Sequence, residues 1–251
     1  MEQQLAGRVA VVTGGSGSIG AACARRLAAA GAAVVVSGRD REKIDGVTRS
    51  ITDAGGRAIG CAADVTSSTD LQRLREEAEA ALGPADILLA FAGGGGEPHS
   101  LEETTEQRWR EVIDTNLTST FLTLRTFVPG MMRRGRGAVV TMASTAGRQP
   151  GGASLPYGAA KAGVVMLTRQ LAQEAGPRGV RINCLAPSTV ENERIRQRMP
   201  AEQREKLVGL FPLRRLGTPD DIAEAALFLV SDRSSWITGV TLDVTGGRVT
   251  G

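Results

Sequence analysis

Aromatic residues make up only 3% of this 251-residue sequence, with a single tyrosine, a single histidine, two tryptophans and three cysteines. A core with so few rings has to be built from aliphatic side chains and alanine. One histidine cannot form a metal-binding cluster, and Cys23, Cys61 and Cys184 are too scattered for a disulfide framework or a C-x-x-C metal pair. Buried, inert thiols in a reducing cytoplasm are the simplest setting. No apolar run approaches the ~18 residues of a membrane span. The opening Met-Glu-Gln-Gln-Leu has neither the basic nor the apolar region of a secretory signal. A cytoplasmic protein with no membrane partner is expected.

Lysine is also scarce. The 30 basic residues include only Lys43, Lys161 and Lys206, and the rest are arginine. The net charge of +3 is small, and Asp and Glu are interspersed with Arg along most of the chain. A nucleic-acid binder would gather its positive charge on one face or arm. The one local cluster, Arg133, Arg134 and Arg136, follows an apolar helical stretch and precedes a turn, where cations suit a helix C-terminus. Nucleic acid is therefore excluded as a partner.

What is present is an alternation of two patterns. Short apolar, β-branched runs (Val9–Thr13, Ala33–Ser37, Ala58–Cys61, Ile87–Phe91, Ala138–Met142, Arg181–Ala186 and Val240–Val244) read as strands buried on both faces. Helical patterns over about 18–30, 40–53, 68–82, 103–132, 155–175 and 220–230 lie between them, punctuated by Pro84, Pro177 and Pro219. No linker or repeat divides the chain. The alternation predicts a single-domain α/β fold, a doubly wound parallel sheet with right-handed crossovers. In such sheets ligands bind beyond the carboxyl ends of the strands.

The first strand runs into Thr13-Gly-Gly-Ser-Gly-Ser-Ile-Gly20 and then an alanine-rich helix. Gly15, Gly17 and Gly20 satisfy G-x-G-x-x-G in the position where backbone N–H groups and a helix dipole cradle a pyrophosphate. The second strand ends Ser37-Gly38-Arg39-Asp40. An acidic side chain there would hold a ribose 2′-hydroxyl, and an arginine accommodates a 2′-phosphate. Gly38 leaves room and Arg39 supplies charge, which favours NADP(H) over NAD(H). The rival reading has Arg39 beginning a loop and Asp40 capping the next helix.

The lone tyrosine, Tyr157, stands four residues before Lys161. On a helix the two share a face. A fixed positive charge beside a phenol favours the phenolate and brings its pKa toward the operating range of a general acid/base. The spacing predicts a proton-transfer pair with Lys161 lowering the pKa of Tyr157.

Together, Thr13–Gly20, Asp64-Val65, Asn116, Ser144, Tyr157, Lys161, Ile237-Thr238-Gly239 and Gly246-Gly247 resemble the short-chain dehydrogenases/reductases over essentially the whole chain. The general resemblance is to 3-oxoacyl-[acyl-carrier-protein] reductases and their relatives. It implies a Rossmann fold of about seven parallel strands. It implies a catalytic set in which Tyr157 exchanges a proton with the substrate oxygen and Lys161 supports it. Ser144, thirteen residues before Tyr157, binds the carbonyl, and Asn116 holds a water that links Lys161 to solvent. Cofactor contacts are implied at Gly14, Ser16, Gly17, Ser18 and Ile19, then at Arg39, Asp64 and Val65. Further along they fall on Ala92 and Gly93, on Tyr157 and Lys161, and on Pro187 and Val190. Implied partners are a carbonyl or alcohol small molecule, free or carried on an acidic acyl carrier protein recruited by Arg134, Arg136 and Arg178, and further copies of the chain in a dimer or tetramer.

Several positions depart from the family pattern. Ser18 replaces a glycine of the phosphate turn, Phe91 an asparagine that braces the sheet, Ser188 the glycine after Pro187, Asn192 a threonine, and Thr245 an aspartate. The segment 188–216 reads as a substrate-side lid with Met199, Leu207, Leu210, Phe211 and Leu213 on its inner face. The loop Gly93–Ser100 reads as the opposite wall, with His99 facing solvent. Two alternatives stay open: an NAD-dependent polyol, steroid or hydroxy-acid dehydrogenase, and a non-catalytic dinucleotide sensor or scaffold.

Overall fold

A computed structural model describes residues 3–94, 98–192, 195, 197 and 199–249. Seven parallel strands form one sheet in the order β3-β2-β1-β4-β5-β6-β7: β1 Val9–Thr13, β2 Ala33–Gly38, β3 Arg57–Ala62, β4 Ile87–Ala90, β5 Gly137–Met142, β6 Val180–Pro187 and β7 Thr241–Val244. Each expected strand is present. The order reverses between β1 and β4, which opens the crevice above their carboxyl ends. The central strands β1 and β4 are buried throughout. The edge strands β3 and β7 are only partly covered. The expectation of burial on both faces therefore fails at the edges, where no second neighbour exists.

Successive residues of one strand feed opposite layers. Val12, Val34 and Val36 pack with Leu27 of α1 (Ser18–Ala29) and Ile44 of α2 (Arg41–Asp53). Val11 and Val35 pack on the other side with Leu71 of α3 (Ser68–Leu82) and Leu124 of α5 (Ser119–Arg134). Helix starts follow capping chemistry. Asp40 accepts from the Lys43 amide, Ser67 from Asp70 and Thr105 from Arg108. Thr218 and Asp221 form a reciprocal capping box for α8 (Pro219–Val230). The long α6 spans Leu155–Ala175 with a proline in its first turn, where the missing N–H costs nothing.

The helix expected over 103–132 is three pieces: α4 Glu106–Ile113, a π-helical turn Asp114–Thr118, and α5. Thr105 sets the start, three residues later than the pattern suggested. A π turn leaves no mark in hydrophobic periodicity, so the break was invisible in sequence. Within 188–216, α7 spans Ala201–Gly209, and residues 193, 194, 196 and 198 lie outside the described residues. Of its expected apolar face, Phe211 is buried, whereas Leu210 and Leu213 are exposed. In the loop Gly93–Ser100, residues 95–97 lie outside the described residues, and His99 is exposed as expected. No helix among the described residues is long and apolar enough to cross a membrane.

Candidate active site

The turn after β1 is shaped by contacts that only glycine allows. Gly14 has φ +69°, and a Cβ there would lie 2.9 Å from the Ala92 nitrogen. A Cβ on Gly20 would lie 2.2 Å from the Gly14 carbonyl oxygen. The chain therefore folds tightly back before α1 begins at Ser18, with Gly17 as its cap residue and no side chain capping the first amides. Those amides are left to face a ligand. Ser18, which replaces glycine, starts the helix without disturbing the turn.

A cleft of about 440 Å³ opens above this turn. Gly14, Ser16, Gly17, Ser18 and Ile19 form one wall. Arg39 stands at the end of β2, and Asp64 and Val65 follow β3. Ala92 and Gly93, after β4, complete it, with Phe91 and Met142 contributing apolar surface at the far end. This constellation fits a dinucleotide. It offers a glycine cradle and free helix N-terminal amides for phosphate, a cation at the rim and an apolar end. Pro187 and Val190 lie outside the cleft: Pro187 ends β6, and Val190 is buried in a parallel bridge with Gly217.

Arg39 is exposed, while Asp40 is occupied as the cap of α2. The capping role read for Asp40 is therefore present, and Arg39 stands free of it at the cleft rim. Asp64 is not the cap of α3. Its carboxylate accepts from the Thr66 amide at 2.9 Å and the Thr66 hydroxyl at 2.7 Å. Those donors, and then the Arg39 charge, hold it below the usual carboxylate range. Phe91 does not brace the sheet by a polar bond. Its ring joins the apolar cluster beside α1, and its amide donates to the Thr13 hydroxyl at 3.3 Å.

Asn116 sits on the π turn, fully buried. Its amide nitrogen donates to the Gly94 carbonyl at 3.1 Å and the Val112 carbonyl at 3.0 Å, and its oxygen accepts from the Gly94 amide at 3.1 Å. The extra residue of a π turn re-aims one side chain, and here it turns Asn116 toward the loop after β4. A Cβ on Gly93 would lie 2.6 Å from the Asn116 oxygen and 3.4 Å from the Lys161 ammonium. These three residues therefore meet at one point.

Ser144 follows β5 in extended conformation and accepts from the Ala146 amide. Its hydroxyl also acts on the Tyr157 phenol, pulling the phenol's pKa down. Burial outweighs this and pushes Tyr157 above its ordinary value. Lys161 is buried and donates to the Met142 carbonyl at 2.9 Å, and its Nζ lies 5.5 Å from the Tyr157 ring centre. Burial brings its own pKa down to about 8. The expectation that Lys161 lowers the pKa of Tyr157 is thus corrected. Ser144 supplies the lowering influence on the phenol, and desolvation governs both groups.

Sequence reasoning missed Met142, Gly94 and Arg148. Met142 ends β5 and holds Lys161 through its carbonyl, so its place at a strand's carboxyl end was the available signal. Gly94 acts through its backbone and has no signal. Arg148 makes a bidentate pair with Asp243 of β7, both contacts 3.1 Å, and fastens the segment after Ser144 to the sheet. Of the basic rim, Arg134 donates to the Ala85 carbonyl, Arg136 pairs with Asp86 at 3.0 Å, and Arg178 reaches the Met132 sulfur at 4.0 Å. Thr245 bonds to the Val249 backbone, ordering the turn after β7.

Comparison with known proteins gives the same address. A family model described as enoyl-(acyl carrier protein) reductase matches residues 14–248. The cis-4-hydroxycyclohexanecarboxylate dehydrogenase of Sinomonas cyclohexanicum is 39% identical over 247 residues, covering 98% of each chain. A 7α-hydroxysteroid dehydrogenase solved with NADH and 7-oxo glycochenodeoxycholic acid superimposes with a TM-score of 0.92 at 34% identity, over 100% of this chain and 97% of that one. A 3-oxoacyl-[acyl-carrier protein] reductase from Brucella melitensis ATCC 23457 superimposes with a TM-score of 0.94 at 30% identity, over 99% of this chain and 94% of that one.

Proposed function

The chain belongs to the short-chain dehydrogenase/reductase family, and from that premise we propose that it interconverts a ketone and a secondary alcohol with NADP(H), Tyr157 being its proton-transfer group. The observation that carries the reading is the convergence of Ser144, Tyr157, Lys161 and Asn116 beside a cleft shaped for a dinucleotide. Bound there, the nicotinamide would supply or take up a hydride. This chain's residues do the rest. The Ser144 hydroxyl and the Tyr157 phenol address one substrate oxygen. The phenol, whose pKa burial pushes above its ordinary value, gives its proton as charge develops on that oxygen. Lys161, fixed by the Met142 carbonyl, places positive charge behind the ring. Asn116 clamps Gly94 and so holds the loop after β4 at the back of the site.

The NADP(H) preference rests on Arg39 at the cleft rim. The neighbouring carboxylate, Asp40, caps α2, pairs with Lys43 and does not line the cleft, which leaves Arg39 as the charged side chain at that corner. For the substrate, the names of the hydroxycyclohexanecarboxylate and hydroxysteroid relatives favour a ring-borne secondary alcohol. A 3-oxoacyl thioester is the second reading, carried by the Brucella neighbour. It is weakened because Arg134 and Arg136, expected to recruit a carrier protein, are occupied within the fold. Assembly into dimers or tetramers through α5 and α6 accords with Phe121 and Met166, which leave apolar surface exposed on those helices.

A panel of cyclic ketones and 3-oxoacyl thioesters, assayed by loss of nicotinamide absorbance with NADPH and with NADH, tests the reading. NADPH-dependent turnover of a cyclic ketone is expected. Tight dinucleotide binding with no turnover of any carbonyl or alcohol would instead mark a sensor.

A further inference from the structure

The groove between α3 and α5 lies outside the dinucleotide cleft and shares no lining residue with it. It encloses about 400 Å³. Its lining brings together three guanidinium groups, Arg75 from α3 and Arg125 and Arg133 from α5. The hydroxyls of Ser68 and Thr126 and the amide of Gln72 complete its polar surface. No acidic side chain lines it among the described residues.

Arginines on a helix surface usually find carboxylates, and elsewhere in this chain they do: Arg41 pairs with Asp45, Arg73 with Asp70, and Arg110 with Glu106. In the groove the one ion pair among the described residues is long, Arg75 to Glu79 at 3.9 Å. The side chains of Arg125 and Arg133 make no ion pair or hydrogen bond among the described residues. The Arg75 Nε is shut off from solvent and has no hydrogen-bond partner. A buried N–H without an acceptor calls for one. Three forked donors converging without carboxylates match the oxygens of phosphate, which arginine binds bidentately. Of the carboxylates on α3, Glu76 accepts from Gln72 and Glu79 stays at the limit of pairing with Arg75, so neither closes an ion pair in the groove.

Helix-dipole placement explains Arg133, in the last turn of α5, but neither Arg75 nor Arg125, which lie in helix interiors. Apolar lining is limited to Leu122 and Pro129, so a hydrophobic occupant has little to grip. We infer that the α3–α5 groove is a binding site for a small phosphate-bearing polyanion, held by Arg75, Arg125 and Arg133.

The test is calorimetric titration of inorganic pyrophosphate into the full chain, with the dinucleotide cleft saturated by NADPH. Saturable binding that weakens as salt rises is expected. The combined variant Arg75→Gln/Arg125→Gln/Arg133→Gln should weaken it at least about tenfold, with an unchanged melting temperature and unchanged affinity for NADPH. The single variant Arg75→Gln, on α3 and off the α5–α6 face, should weaken it several-fold and serves if the combined variant fails to fold. No pyrophosphate binding by the wild-type chain, or equal binding by the variants, overturns the inference.

Discussion

The Lys161 ammonium stands 5.5 Å from the centre of the Tyr157 ring and is held there by the Met142 carbonyl. One helical turn of α6 sets the spacing, and the carboxyl end of β5 sets the direction. The arrangement has a cost, because an ammonium is buried with one acceptor. Its pKa falls from 10.5 to about 8, so between those values the unfolded chain binds more protons than the folded one. Stability contributed by this residue therefore rises with pH across that window. Below pH 8 the buried charge destabilises the fold by about 3 kcal/mol. Lys161→Met should raise the melting temperature of the cofactor-free protein at pH 7 and abolish turnover. The gain should shrink as pH approaches 10.5, which scanning calorimetry at a series of pH values will show.

Asn116 closes a ring of hydrogen bonds with Gly94 and Val112. Asn116→Ala leaves the Gly94 amide and carbonyl without these partners. A loss of about 1–3 kcal/mol in denaturant unfolding is expected. Turnover should fall further than that loss alone explains, because the loop after β4 is no longer held against Lys161. Turnover measured well below the melting temperature separates the two effects.

Arg39 decides the cofactor on this account. Arg39→Asp removes the cation from the rim and places a carboxylate where a ribose diol can be held. Fluorescence titration should show NADPH affinity falling by about tenfold or more and NADH affinity rising. An unchanged ratio removes Arg39 as the discriminator.

Arg148 and Asp243 join the segment after Ser144 to β7 through a largely buried bidentate pair. Breaking one side strands the other charge, so Arg148→Met should cost about 3 kcal/mol. Arg148→Met combined with Asp243→Leu should recover most of that loss in the same unfolding assay, since an apolar pair can replace a buried ionic one.

The sheet was legible because buried parallel strands are short and apolar, a signature that the inner strands carry in full and the edge strands β3 and β7 only weakly. The phosphate turn was legible because Gly14 and Gly20 stand where no Cβ fits. Tyr157, Lys161 and Ser144 were legible by spacing and order. Four things were not. The π turn that aims Asn116 is a backbone irregularity within an unbroken helical pattern. The influences on Tyr157 depend on burial, which reverses the shift expected from charge alone. Arg148 and Asp243 are far apart in sequence, and nothing local pairs them. The outward turn of Leu210 and Leu213 was likewise hidden, because an apolar residue in a loop does not declare which side it faces.

The central claim is that the Tyr157 phenol moves the proton. Tyr157→Phe removes one oxygen and keeps the ring against Lys161, so the measurement is NADPH affinity and turnover of the best carbonyl substrate, wild type against variant. The account predicts near-equal affinity and a loss of turnover of roughly a thousandfold or more, larger than a positioning effect gives. Turnover within about tenfold of wild type would contradict it.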